Sequence, residues 1–199
     1  MKKKKQKKNL GTFIDNKLSW NSQIAHIKSK LARNIGLISK IRYCAKDACL
    51  NLYHSLVQSH INYNILNWTC TKDTVLDPIE KKIKKAIRVI SFAKTKVEHT
   101  SPLFKQQKIL PFFNHVQLRR ATFMWKVHHG YTHPPVCNIF TKNPYNLNFI
   151  LPHAKNEREK TTFEYKCVKA WQSVPYDYKK ITTLGGFTTK LKEHLLNSI

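Results

Sequence analysis

Apolar side chains recur at spacings of three and four through much of the chain, which is the period of an α-helix. The clearest stripe predicts a first helix that follows the turn at Asp15-Asn16, with Ser19 as a candidate N-cap. Lysines and arginines lie off this stripe, so we expect the helix to bury one side and expose a positive one. The stripe consists of Trp20, Ile24, Ile27, Leu31, Ile35, Ile38 and Ile41.

Two further helices are predicted before residue 93. One begins near Asp47 and runs towards Trp68, and its apolar residues cover more than half of its circumference, so we expect it to be central. The other begins at "DPIE", where Asp77 can cap, Pro78 suits the first helical position and Glu80 can close a capping box, although an earlier start also fits. Its apolar stripe is Ile79, Ile83, Ile87 and Ile90.

The pattern changes in the second half of the chain. After a loop that contains Ser101-Pro102 and Leu110-Pro111, a fourth helix is predicted from about Phe113 to His129, ended by Gly130. Apolar residues then alternate in the ranges 145–151 and 162–167, which predicts two half-buried strands that pair as a β-hairpin. The terminal stripe predicts a short amphipathic helix and consists of Leu184, Phe187, Leu191 and Leu195.

Together these elements predict a mainly α protein: a helical bundle with a small β-hairpin and a C-terminal amphipathic helix. The chain has 199 residues and is 41% hydrophobic, which is enough for a buried core. No run of 18 apolar residues and no secretory signal occurs, so we expect an intracellular protein without a membrane partner. Its five cysteines are scattered and odd in number, which is typical of reduced thiols in a core.

The net charge of the chain is the strongest indication of its binding partner. Lys and Arg total 36 against 11 acidic residues, a net charge of +25, and the six lysines of residues 2–8 account for only six of these charges. Charge of this size destabilises the compact state unless a polyanion neutralises it. The expected partner is therefore the backbone of RNA or DNA, bound without sequence specificity.

Candidate phosphate contacts lie on the basic faces of the first and third helices, supported by a basic loop at Lys94-Thr95-Lys96 and by Arg119-Arg120. Taken alone, such a face is more often a solvated surface than a binding site. The interleaved aromatics Trp68, Phe92, Phe104 and Trp125 have helical spacing, which favours the core over base stacking. The candidate contacts are Lys28, Lys30, Arg33, Lys81, Lys82, Lys84, Lys85 and Arg88.

Catalytic patterns are weak in this sequence. Its five aspartates are isolated, with no Asp-Asp or Asp-x-Asp pair to hold two Mg²⁺ ions, and no Gly-rich phosphate loop occurs. The cluster "HHGYTH" (His128, His129, His133) has no carboxylate or cysteine beside it, so a solvated helix end is favoured over a zinc site. We therefore expect no catalytic residue, no metal and no cofactor.

Seven segments, in this order, resemble the region downstream of the polymerase core in reverse transcriptases of non-LTR retrotransposons of the LINE type, jockey-like in particular. The resemblance covers nearly all of residues 10–199. The segments are "LGTFIDNKLSW", "HIKSKLARNIGLISKIR", "LYHSLVQSHINYNILNW", "KKAIRVISF", "TSPLFKQQKILPF", "KAWQSVP" and "FTTKLKEHLL".

The resemblance implies a domain layout. Residues 1–9 would be a basic disordered tail, 10–19 a strand stub whose sheet partners belong to a missing palm domain, 20–130 a helical thumb-like domain and 131–199 a C-terminal extension with the β-hairpin and terminal helix. On this layout Phe13 or Ile14 should lack the sheet neighbours that a whole enzyme would supply. In such polymerases the thumb holds the template–primer duplex by its backbone, and the missing palm is a further possible partner.

The family's metal-binding Tyr-x-Asp-Asp motif, its fingers and its endonuclease do not occur here. We therefore predict a catalytically incomplete fragment of an RNA-directed DNA polymerase, inactive alone. A non-functional remnant reading frame is one alternative. Another is a co-opted nuclear structural protein, for which Lys2-Lys8 would be a localisation signal, although such runs also arise by chance or act as plain nucleic-acid arms.

Overall fold

A computed structural model describes residues 6–43, 46–93 and 99–199. The fold is mainly α-helical with one small antiparallel hairpin among these residues, which confirms the predicted class. The chain forms two compact units, Met1–Phe112 (unit 1) and Phe113–Ile199 (unit 2). The division lies after the first residue of the fourth helix, whereas the layout implied by the resemblance has a thumb-like domain that extends to residue 130.

Unit 1 opens with the hairpin of β1 (Gln6–Asn9) and β2 (Thr12–Asp15). The pairing Asn9↔Thr12 leaves Leu10-Gly11 as a two-residue turn, and both residues have positive φ, 44° and 81°. A turn of this kind matches the natural twist of paired strands. The expectation of a disordered tail is therefore wrong for residues 6–9, and residues 1–5 lie outside the described chain.

The strand β2 has a sheet neighbour within this chain. Phe13 pairs with Lys8 and Ile14 pairs with Lys7. The reason is that the turn reverses the chain, so that the basic segment itself supplies the partner strand. The small hairpin of the fold is thus located at residues 6–15 and not at residues 145–167.

The first helix, α1 (Asn21–Ile41), confirms the predicted stripe, because Ile24, Ile27, Leu31, Ile35 and Ile38 are all buried. Ser19 does not cap it. The Ser19 hydroxyl donates to the Asp15 carboxylate at 2.8 Å, and the residue at the cap position is Trp20, whose φ is 61°.

The predicted second helix is divided into α2 (Lys46–Leu52), a π-helical segment (Tyr53–Gln58), α3 (Ser59–Asn62) and α4 (Ile65–Trp68). The break lies at Asn64, which has a left-handed φ of 52°. The Trp68 indole N–H donates to the Tyr63 carbonyl at 3.0 Å and holds this turn. The segment is central as predicted, and its buried residues are Cys49, Tyr53, Val57, Ile61, Ile65 and Trp68.

The third helix, α5 (Asp73–Ile90), begins one turn before the predicted cap. The cap position is Lys72, so Asp77 does not cap and Pro78 lies inside the helix. Leu76, which is buried, extends the stripe of Ile79 and Ile83 towards the N-terminus, and its burial favours the earlier start.

Unit 1 ends with α6 (Thr100–Gln106), a short helix in the region where we expected only a loop. Pro102 is compatible with it because it occupies the first turn, where backbone N–H groups have no helical partner. The buried ring of Phe104 anchors the helix in the unit. The basic loop predicted at Lys94-Thr95-Lys96 lies outside the described residues.

Unit 2 contains α7 (Phe112–His128), whose end before Gly130 was predicted correctly; Gly130 has a φ of 74°. The predicted terminal helix is α11 (Leu184–Asn197), and it buries Phe187, Leu191 and Leu195 as expected. Between them lie α8 (Pro134–Cys137), a 3₁₀ turn (Glu159–Thr161), α9 (Phe163–Gln172) and α10 (Tyr176–Lys179).

The helix α9 replaces the second strand predicted in this region. Its N-cap Thr162 accepts a hydrogen bond from the Tyr165 amide at 3.4 Å, and buried Cys167, Val168 and Trp171 follow a helical period. The alternation over six residues was too short to distinguish a strand from the start of this helix. In the range 145–151 the structure has only the isolated bridge Lys142↔Phe149 instead of a strand.

Candidate nucleic-acid interface

The helix α5 separates apolar from basic residues around its axis. Its buried stripe runs from Leu76 to Ile90, whereas the ten residues 81–90 contain five cations and no acidic residue. Residues advance by about 100° along a helix, so positions i, i+3, i+4 and i+7 share one side. Four of the cations therefore form one stripe on the side away from the core, which we call the α5 cation face: Lys81, Lys84, Lys85 and Arg88.

The exposure of these side chains agrees with this geometry. Lys81 and Lys85 are exposed, and Lys84 and Arg88 are half-buried. Lys82 lies on the other flank of the helix, beside Val89, and is half-buried. The structure thus brings together four of the five predicted contacts on α5.

The base of the α5 cation face contains a carboxylate with a structural role. Glu80 is 9% exposed and accepts a hydrogen bond from the buried Phe112 amide at 2.9 Å. Its other oxygen lies 3.3 Å from the Lys84 ammonium. The predicted capping box is therefore wrong: Glu80 sits in the second turn of α5 and satisfies a backbone donor far away in the sequence. Burial raises the pKa of Tyr53, and the charge of Glu80 raises it further.

The predicted contacts on α1 do not join this face. The helices α1 and α5 pack against each other, and each does so while burying its isoleucine stripe. Arg33 lies nearly opposite the buried stripe of α1, Lys30 lies to one side of Arg33, and Lys28 flanks the stripe. Cations on the outer sides of two packed helices form two separate basic surfaces, and the eight predicted residues are divided between them.

The basic surface on α1 also includes residues that were not among the predicted phosphate contacts. His26, Lys30 and Arg33 follow one another at spacings of four and three, and they share a side of α1. The ring of Phe13 on β2 meets the His26 ring edge-on at 5.0 Å, and the Lys8 ammonium lies 5.7 Å from the centre of the Phe13 ring.

Both histidines near this surface favour their neutral form. Burial lowers the pKa of His26, and the charges of Lys30, Lys8 and Arg33 lower it further. Burial likewise lowers the pKa of His60 on α3, with Lys30 as the second cause. We call the set Lys8, His26, Lys30, Arg33 and His60 the histidine surface. The spacing of His26, Lys30 and Arg33 was visible in the sequence, but the contribution of β1 and α3 was not.

The histidines of "HHGYTH" lie in unit 2, where the rings of His128 and His129 meet edge-on at 5.0 Å and each also stacks on a tryptophan. His129 stacks on Trp125 with ring centres 4.0 Å apart, His128 stacks on Trp171 at 5.8 Å, and His133 is exposed. In the part of the chain that the structure describes, no group of three or more His, Cys, Asp or Glu residues is placed to hold a metal ion.

The interleaved aromatics belong largely to the cores, as their spacing suggested. Trp68 and Phe104 are buried in unit 1, Trp125 is buried in unit 2, and Phe92 is half-buried. The three buried rings therefore offer no open face for base stacking. Among the described helices, none combines the length and the apolar character that crossing a bilayer requires.

Comparisons of this chain with protein-family models, with curated proteins and with solved structures gave no match.

Proposed function

We propose that this chain binds the phosphate backbone of nucleic acid without sequence specificity, through the basic surfaces of unit 1. The observation that carries the proposal is the α5 cation face. Its four cations are aligned on one side of a helix whose other side is buried, so their positions are held by the core. At its base the Lys84 ammonium lies 3.3 Å from a Glu80 carboxylate oxygen.

The proposal includes an origin for the chain. The seven ordered motifs support descent from the thumb and downstream region of a LINE-type reverse transcriptase, in which a basic helical surface would hold a template–primer duplex. The 199 residues contain no Asp-Asp or Asp-x-Asp pair, and the described residues contain no group of three or more His, Cys, Asp or Glu that could hold a metal ion, so nothing here supports a two-metal polymerase site. The chain alone would therefore act as a binding module.

The test is the salt dependence of binding to an RNA–DNA hybrid of roughly 20 base pairs. Each phosphate contact should contribute about 0.9 to the slope of log K against log salt on a B-form duplex, and a similar amount is expected here. Lys81→Gln/Lys85→Gln removes the two most exposed cations of the face. We expect this variant to bind more weakly at low salt and to lower the slope by about 1 to 2.

The matched control removes the same charge from unit 2. Lys169 on α9 and Lys190 on α11 are exposed, and Lys169→Gln/Lys190→Gln should leave the slope within about 0.5 of the unaltered protein. An equal loss in both variants would show that net charge alone drives binding and would contradict the α5 cation face. Absence of binding at low salt would contradict the proposal and favour a non-functional remnant.

A further inference from the structure

The histidine surface is a built arrangement, because tertiary contacts hold the hairpin on α1. The Phe13 amide donates to the Gln23 side chain at 2.9 Å. The Tyr63 hydroxyl donates to the Leu10 carbonyl, and the side-chain amide of Asn64 donates to the Thr12 hydroxyl at 3.3 Å. These contacts fix β2 and the turn, and β1 is positioned through its pairing with β2.

This arrangement places Lys8 on the same side as the histidines. Lys8 and Phe13 are directly opposite each other in the two strands, so their side chains share one face of the hairpin. The Phe13 ring lies against His26 on that face. Lys8 and Arg33 are exposed, while His26, Lys30 and His60 are half-buried, so the set is accessible from solvent.

The charges on the histidine surface are of one sign. The groups that act on His26 are Lys30, Lys8, Arg33 and His60, and the group that acts on His60 is Lys30; no carboxylate is among them. The carboxylate of the hairpin, Asp15, is engaged elsewhere, since it accepts from the Ser19 hydroxyl and from the Lys17 amide at 2.9 Å. Among the described groups that act on the two imidazoles, three are permanent cations and none is a carboxylate.

We propose that Lys8, His26, Lys30, Arg33 and His60 form a second phosphate-binding surface, in which His26 and His60 take up protons when the phosphate binds. The inference rests on the proposed function, because the phosphate is that of a nucleic-acid backbone. Burial is the main reason that the imidazoles favour their neutral form, and the cations add to it; an anion seated among the three cations offsets this added repulsion. Binding and protonation then strengthen each other, and affinity rises as the pH falls through the range in which histidines titrate.

The direct test follows individual histidine rings by NMR in the full chain, free and bound to the RNA–DNA hybrid. The pKa of His26 and His60 should rise by about one unit or more on binding. His153, an exposed histidine of unit 2, serves as the internal control and should not shift. No rise at His26 or His60 in the bound state would overturn the inference.

The functional test compares affinities at about pH 7.5 and about pH 5.5 at constant salt. We expect the Kd of the unaltered protein to fall by roughly tenfold or more at the lower pH. His26→Gln/His60→Gln should reduce this change to about twofold, while His153→Gln should retain it. Salt-dependent binding with an unchanged Kd would overturn the inference and leave the proposed function standing, whereas absence of binding at both pH values would overturn both.

The variant Lys8→Gln tests the contribution of the hairpin without disturbing the fold. Lys8 is exposed, so we expect the His26–Phe13 contact to remain when it is replaced. Removing this cation should raise the pKa of His26 in the free protein and should weaken binding at the lower pH. An unchanged pKa of His26 in Lys8→Gln would contradict the proposed contribution of the hairpin.

Discussion

The two units differ in the balance of the side chains that they bury. The packing of α1 on α5 in unit 1 is largely by isoleucines, and the polar sides of these two helices carry nine cations. Unit 2 is held by aromatic rings, with Trp125, Phe149, Trp171 and Phe187 all buried. An aliphatic side chain has no polar group that needs a hydrogen-bond partner, whereas each buried indole has an N–H group that needs an acceptor.

The acceptors in unit 2 come from loop backbone. Trp171 donates to the Leu147 carbonyl at 2.8 Å, and Trp125 donates to the Ile181 carbonyl at 2.8 Å. Each ring therefore fixes a segment without regular structure. The packing of α1 on α5 in unit 1 depends on periodic stripes, which leave the outer sides of these helices free to carry charge. Unit 2 depends on a few rings, and the loss of one should lower its free energy of unfolding strongly.

The largest expected effect is that of Trp171→Ala. Removal of this fully buried ring, together with its hydrogen bond to Leu147, should lower the free energy of unfolding of unit 2 by about 3 to 5 kcal/mol. Amide hydrogen exchange reports the two units separately. Protection should fall in unit 2 and remain in unit 1.

The control for this change is Tyr145→Ala, because Tyr145 is 94% exposed and its loss should alter stability by no more than about 0.5 kcal/mol. A cost for Trp171→Ala no greater than that of Tyr145→Ala would contradict the importance of the ring.

The second effect concerns a buried hydrogen bond of unit 1, which the Phe112 amide donates to the Glu80 carboxylate. Glu80→Ala leaves the buried Phe112 amide without its acceptor and should cost about 2 to 3 kcal/mol. Glu80→Gln keeps an acceptor oxygen and should cost about 1 kcal/mol or less. The lost pairing with Lys84 adds little, because the Lys84 side chain is 43% exposed.

Urea unfolding of unit 1 measures these differences. Glu193→Ala on α11 removes an exposed carboxylate and should change stability by no more than about 0.5 kcal/mol. Equal costs for Glu80→Ala and Glu80→Gln would show that the charge, and not the hydrogen bond, is what unit 1 requires.

The smallest effect should be a gain in stability. Leu10 is 84% exposed and has a φ of 44°, a conformation that leucine adopts at a cost. Leu10→Asn creates an Asn-Gly turn, the favoured pair for this geometry, and should stabilise the hairpin by about 0.5 to 1 kcal/mol. The thermal midpoint of the protein measures the gain.

The matched control applies the same substitution inside a helix. Leu37 on α1 is 49% exposed, and Leu37→Asn should cost about 0.5 kcal/mol through lower helix propensity. A loss of stability in both variants would argue against the two-residue turn.

The helices α1, α5, α7 and α11 were predictable because their stripes extend over several turns, and α7 also ends at a glycine. The prediction of a strand over 162–167 was wrong because alternation over six residues is compatible with both the strand and the helix period. Charge is a property of composition, so the basic character of the chain was also plain from the residues alone. The separation of Lys82 from Lys81, Lys84 and Lys85 needed only the helical period and the known extent of α5.

Tertiary structure decided what joins residues distant in the chain. No local pattern connects Glu80 with Phe112, or Lys8 with His26 and His60, since these contacts depend on how α5, the hairpin and α3 pack. Side-chain periodicity determines which face of a helix is buried, because burial of a stripe is a local requirement of the helix itself. It does not determine which neighbour covers that face or which charges meet at the surface, because those depend on the path of the chain between the helices.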